Sequence, residues 1–193
     1  MKLSVDSLLG DLHAANAESS PRHAVREVVA RAVSDPEAVA RAFGPLTRGH
    51  STVLFRSADL LVLHIVWPPE ITVDPHEHNL WAVMGIYRGV EDNTFFGRTD
   101  DGAIERQGTV RLEARDTRIM GEDAIHAVEI PTLAPTGAIH VYGGDLITVE
   151  RSEFDSATGA EQPFDWKKSE REFEEMNARW QARMASAEAS AGS

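Results

Sequence analysis

The hydrophobic rhythm of the chain changes twice. Up to about Phe43 apolar residues recur at helical spacing: Leu8, Leu9 and Leu12 behind Ser4, Val25, Val28, Val29 and Ala32 behind Ser20-Pro21, and Val39, Ala40 and Phe43 behind Asp35-Pro36. Ser4 is placed to cap the first segment. Pro21 and Pro36 stand at a first helical position, where the missing N–H leaves nothing unpaired. Gly44-Pro45 ends the third helix. Helices this short pack on the outside of something larger, so a scaffolding role is expected for them.

From His50 the pattern becomes that of strands. Ser51 to Arg56, Leu60 to Trp67, Leu80 to Tyr87, Thr94 to Arg98, Gly108 to Leu112, Ala124 to Ile130, Ala138 to Tyr142 and Leu146 to Glu150 are short, apolar and rich in β-branched residues. Turn signals separate them, among them Ser57-Ala58-Asp59, Arg88-Gly89, Asp100-Asp101-Gly102, Pro135-Thr136-Gly137 and Gly143-Gly144-Asp145. Many short strands at close spacing make a sandwich or a small barrel. After Phe154 the strand pattern is expected to stop. Lys168 to Ala189 then carries Phe173, Met176 and Trp180 at helical intervals, which predicts a terminal helix before a disordered Ala-Ser-Gly tail. The expected organisation is a helical segment over 1–48 packed on a barrel over 49–155, with a helix and tail over 156–193, in one domain overall.

Composition narrows the function. A net charge of −12 argues against nucleic acid and anionic membrane surfaces as partners, since both call for basic patches. No apolar run approaches the roughly 20 residues of a bilayer span. Met1 to Gly10 does not look like a secretory signal. The absence of cysteine removes disulfides, thiolate ligands and a cysteine nucleophile together. A cytoplasmic location is the expectation.

The chemistry gathers around Asp74-Pro75-His76-Glu77-His78. In an extended strand His76 and His78 project to one side and Glu77 to the other. Pro75 cannot donate to a ladder, so the strand is expected to begin at or just after it. Two imidazoles on one side can hold one metal ion. His126 shares a face with Val128 and Ile130, and His140 with Ala138 and Tyr142, so both are expected to point into the core. Singly, such a histidine is more often a packing residue; joined to an HxH pair, a third ring on a later strand favours a metal. His64, alternating with Val62 and Val66, reads as core. His13, His23 and His50 earn no role.

His76-Glu77-His78 with Trp81 following, His126 in Ile125-His126-Ala127-Val128-Glu129 and the late His140-x-Tyr142 pair together resemble the cupins, and more narrowly the cysteine dioxygenase (thiol dioxygenase) family, over roughly Val53 to Arg151. The resemblance implies a mainly β fold: a cupin double-stranded β-helix (jelly-roll) barrel with N-terminal helices and a C-terminal helix. It implies Fe(II) held by His76, His78 and His126, with nickel or zinc accepted by the same ligands. It also implies a relay of His140 and Tyr142 beside the open coordination positions. Many cupins supply a carboxylate soon after the HxH; here Leu80-Trp81-Ala82-Val83 stands instead, which agrees with the three-histidine set of thiol dioxygenases. The chain departs from that family in two ways: no cysteine is available to crosslink to Tyr142, and Ala138 stands where the relay usually opens with serine. Among Arg56, Arg88, Arg98 and Arg118, Arg56 is the candidate for binding a substrate carboxylate, because arginine meets it bidentately.

The resulting expectation is a metal-dependent dioxygenase that oxidises a small thiol, of the cysteine or 3-mercaptopropionate type, to a sulfinic acid with O2. The alternatives are a three-histidine dioxygenase acting on a non-thiol chelating substrate, and a non-catalytic metal- or ligand-binding barrel. Pairing into a homodimer through barrel edges is a further expectation.

Overall fold

The structure, a computed structural model, describes residues 3–191. In chain order its elements are α1 (Val5–Asn16), α2 (Pro21–Val33), α3 (Pro36–Phe43), β1 (His50–Arg56), β2 (Leu61–Trp67), β3 (Thr72–Glu77), β4 (Ala82–Arg88), β5 (Val90–Arg98), β6 (Ile104–Glu113), β7 (Thr117–Met120), β8 (Ile125–Glu129), β9 (Thr136–Tyr142), β10 (Ser152–Phe154), β11 (Glu161–Pro163) and α4 (Trp166–Ala191). The helix starts follow their caps. Ser4 and Ser7 form a reciprocal capping box on α1, and the Asp35 carboxylate accepts from the Ala38 N–H on α3 at 3.0 Å. Gly44, at φ 86°, takes the left-handed turn that ends α3.

The strands form two antiparallel sheets, ordered β1-β2-β9-β4-β7 and β11-β10-β3-β8-β5-β6. From β2 onward, apart from the β5–β6 and β10–β11 hairpins within the six-stranded sheet, the chain passes back and forth between them, which winds a double-stranded β-helix. The protein is mainly β, a jelly-roll barrel with helices at both ends of the chain.

The five-stranded sheet is covered on both faces, and β2 and β9 are buried along their whole length. This is why both read in the sequence as nearly unbroken apolar runs. Val62, Val83, Ile139 and Val141 point outward onto Leu8, Leu12, Val25, Val29 and Val33 of α1 and α2. Leu61, Leu63, Ile65, Trp67, Ala82, Met84 and Tyr142 point inward and meet Val73, Val128 and Ile130 of the other sheet. A Cβ on Gly85 would lie 2.3 Å from Val29 Cγ1, so this glycine lets α2 settle on β4. At the other end of the chain α4 packs Phe173 and Met176 against the inner cluster. Asn177, buried, takes both the N–H (2.7 Å) and the C=O (2.9 Å) of Gly49, and so ties α4 to the start of β1.

Several expectations change. Leu146 to Glu150 is a turn, because Asp145 gathers this stretch: its carbonyl accepts from Thr148 N and Val149 N, and its carboxylate from Ile147 N. Strand β7 was masked by its charged flanks. Strand pairing continues past Phe154 as the small β10–β11 hairpin. Pro75 lies inside β3, not before it, at a register irregularity between Val73 and His76, where no ladder N–H is required of it. The terminal helix runs on to Ala191; the rest of the tail expected to be disordered lies outside the described residues.

Candidate metal centre

Two paired strands, β3 and β8, bring the histidines together. His76 sits on β3 and pairs with His126 of β8 in the same ladder. His78 follows just past the end of β3. All three are buried, and one ligand nitrogen from each lies within 4.8 Å of the others. The backbone and one amide settle which nitrogen His76 and His126 offer. His76 Nδ1 lies 2.9 Å from the Asp74 carbonyl, which can only accept, so Nδ1 carries the proton and Nε2 keeps a lone pair. His126 Nδ1 meets Asn93 Oδ1 at 2.8 Å, again leaving Nε2 free. His126 Nε2 and His78 Nε2 are 3.4 Å apart. Two metal–nitrogen bonds of about 2.1 Å place their nitrogens roughly 3.0–3.4 Å apart, between octahedral and tetrahedral angles. The spacing of this pair fits one shared cation.

Electrostatics keeps the rings neutral. Burial chiefly, and the Arg151 guanidinium next, push His76 down to about 4. Burial and the neighbouring imidazoles hold His78 and His126 well below the ordinary histidine value. Near pH 7 all three lone pairs are available. No carboxylate belongs to the cluster among the described residues, so a divalent ion bound there would keep its full charge.

His140 and Tyr142, on β9, enter the same interior. Their contact is His140 Nδ1 to Tyr142 Oη at 3.2 Å, and the Tyr142 ring lies against His78 with centroids 5.1 Å apart. Burial raises the Tyr142 pKa, with Arg151 opposing, so the phenol stays protonated. On its far side His140 Nε2 makes no hydrogen bond and faces the Glu91 carboxylate at 3.8 Å. His64 is core, as expected: it lies on the outward face, contacts Tyr87 Oη at 2.7 Å and stacks on Phe43.

Arg56 is not brought to the cluster. Its guanidinium makes a bidentate pair with Asp145 at 3.0 and 2.9 Å and stands exposed at the end of β1. That pairing takes up the Nε–Nη2 edge of its fork. Arg98 is likewise held, by Glu161 and Glu77, and Arg88 is exposed. Arg118 stands over the Phe95 ring that stacks on His126, with its buried Nε unpartnered, and a second arginine beside the histidines is Arg151, in the segment after the Asp145 turn. It is 8% exposed, its Nε has no partner, and its Nη1 donates to the Glu77 carbonyl at 3.2 Å. The guanidinium stacks on Phe164 at 3.3 Å and Trp166 at 4.8 Å, and the Phe164 ring is 5.9 Å from that of His76. Burial pushes Arg151 down to about 10, so it remains a cation at neutral pH. Arg151, Phe164 and Trp166 line an open cleft of about 620 Å³. Sequence reading passed over Arg151 because it sits between elements and is flanked by Glu150 and Glu153, which gives it the look of a solvated surface charge.

No protein-family model matches the chain. Among solved structures, it is similar to a cupin superfamily protein from Desulfitobacterium hafniense (16% identity over 53% of this chain and 83% of that one, TM-score 0.42). It is also similar to an RmlC-like cupin with a double-stranded β-helix fold from Methanocaldococcus jannaschii (13% identity, 52% and 84%, TM-score 0.44). A protein from Bacillus halodurans matches at 13% identity over 50% and 71%, with a TM-score of 0.44. Two of the three are named as cupins; the barrel assignment for this chain rests on the strand order above. The narrower likeness to thiol dioxygenases rests on the site motifs alone.

Proposed function

We propose that the protein is a non-haem Fe(II)-dependent thiol dioxygenase-like enzyme that oxidises a small, carboxylate-bearing thiol to a sulfinic acid: R–SH + O2 → R–SO2H. The observation that carries this reading is the convergence of three neutral imidazoles, without a carboxylate, beside a buried arginine that has donor capacity to spare. His76, His78 and His126 would hold the ion. Iron there would supply a centre that stabilises thiolate and activates dioxygen.

The chain's own groups do the rest. Arg151 offers an unpaired N–H to a carboxylate, and its aromatic stack fixes the plane of the guanidinium, so the acid end of a substrate is oriented rather than merely attracted. Tyr142 and His140 hold a proton that can rest on Oη or pass to Nδ1. The apolar lining from Leu61, Leu63 and Met84 excludes water around them. A small thiol and O2 are the proposed partners.

An oxygen electrode tests the reading. Protein loaded anaerobically with Fe(II) is expected to take up one O2 per thiol with cysteine, cysteamine or 3-mercaptopropionate, and fastest with a thiol that carries a carboxylate. Uptake with none of the three, by protein holding one iron per chain, rejects the thiol substrate. An oxygen chelate that perturbs the metal spectrum where thiols do not would favour the non-thiol alternative.

A further inference from the structure

Glu91, on β5, is fully buried, at 0% exposure. A carboxylate removed from water has to be met by donors or by opposite charge, and an apolar residue of the same size would often serve stability as well or better. The groups meeting Glu91 are specific. Trp67 Nε1 donates to Oε2 at 2.7 Å, and Asn93 Nδ2 donates to Oε1 at 3.0 Å. The remaining face looks onto His140 Nε2, 3.8 Å from Oε2, with no other partner for that nitrogen. Burial works to raise the Glu91 pKa, but His140 above all, with Asn93 and Trp67, outweighs it, and the net shift is downward.

We propose that Glu91 is a positioning residue for two limbs of the site at once. Towards His140, a carboxylate can only accept, so Nε2 holds its proton and Nδ1 turns a lone pair to the Tyr142 hydroxyl. Towards His126, Glu91 holds Asn93 with its amide N–H2 facing the carboxylate, which leaves Asn93 Oδ1 to face His126 Nδ1. That carbonyl fixes the Nδ1–H tautomer and aims Nε2 at His76 and His78. One acid thus sets the hydrogen pattern of a ligand and of the His140–Tyr142 pair. It also supplies, from a different strand, an orienting group for His140 where Ala138 provides none. The His126 limb rests on the metal reading above; the His140 limb does not.

Long-range ¹H–¹⁵N spectra of the imidazole rings in the metal-free protein read the tautomers directly. The expected result is Nε2–H on His140 and Nδ1–H on His126. In Glu91→Gln the amide can turn a donor to His140, so its ring should shift towards the Nδ1–H tautomer, and Co(II) affinity, read from ligand-field absorption, should fall about tenfold. Asn93→Ala separates the limbs: His140 should keep Nε2–H while His126 loses its single tautomer and Co(II) binding weakens. A wild-type His140 protonated on Nδ1 alone overturns the proposal, and that measurement needs no variant to fold. So does a Glu91→Gln protein with unchanged tautomers and Co(II) affinity. A wild-type chain that binds no Co(II) removes the metal reading, and the His140 spectrum still decides the relay.

Discussion

Arg151 is where side-chain chemistry most sharply divides one account of the site from another. Its unpaired Nε and its stack on Phe164 and Trp166 are what a carboxylate-orienting arginine needs. Arg151→Lys keeps a charge but loses the fork and the stacking plane. We expect KM for 3-mercaptopropionate to rise at least tenfold in Arg151→Lys, with KM for cysteamine, which has no carboxylate, changed less than threefold. Equal losses on both thiols would assign Arg151 to folding rather than to substrate. The histidines were legible one by one, because strand alternation fixes which face a residue takes: His126 goes with Val128, and His140 with Tyr142. Arg151 and Glu91 were not. Glu91-Asp92-Asn93 falls between the Arg88-Gly89 turn and the strand expected from Thr94, and only the pairing of β5 with β8 and the approach of β9 reveal that Glu91 and Asn93 point inward.

At the level of helices and strands, the pattern predicted type well and edges less well. Caps and prolines set the three N-terminal helices, and β2, β4 and β9 stood out because both their faces are covered. The turn after Asp145 resembled a strand because apolar Leu146, Ile147 and Val149 pack inward from a turn held by the Asp145 carbonyl and carboxylate. The helix–sheet contact is tight enough to test. Gly85→Ala drives a methyl into Val29, and we expect it to cost about 1–3 kcal/mol in urea unfolding. Adding Val29→Ala should recover part of that loss, and strict additivity of the two would show that they do not touch. At the C-terminal helix, Asn177→Ala leaves both backbone groups of Gly49 buried and unpaired. We expect a loss of about 1–3 kcal/mol, and an unchanged urea midpoint would mean that α4 is not anchored there.

Across the molecule, buried neutral histidines tie stability to pH. Burial pushes His64 and His76 down to about 4, and His78 and His126 are also lowered. Unfolded, each titrates near 6.5. Their contribution is therefore complete above about pH 6.5 and is lost as the pH falls towards 4, at up to about 1.4 kcal/mol per pH unit for each group. The urea midpoint of metal-free protein should drop markedly between pH 7.5 and pH 5; a flat profile would mean that the rings are accessible to protons in the native state. A bound ion should protect the fold over the same range, since it competes with protons for the same lone pairs. The whole account depends on that ion. Anaerobic titration of Fe(II), followed by calorimetry, should show one site per chain in the wild type. In His76→Ala and His126→Ala it should show none, with circular dichroism unchanged. Saturable binding that survives in both variants, or its absence from the wild type, would contradict the assignment.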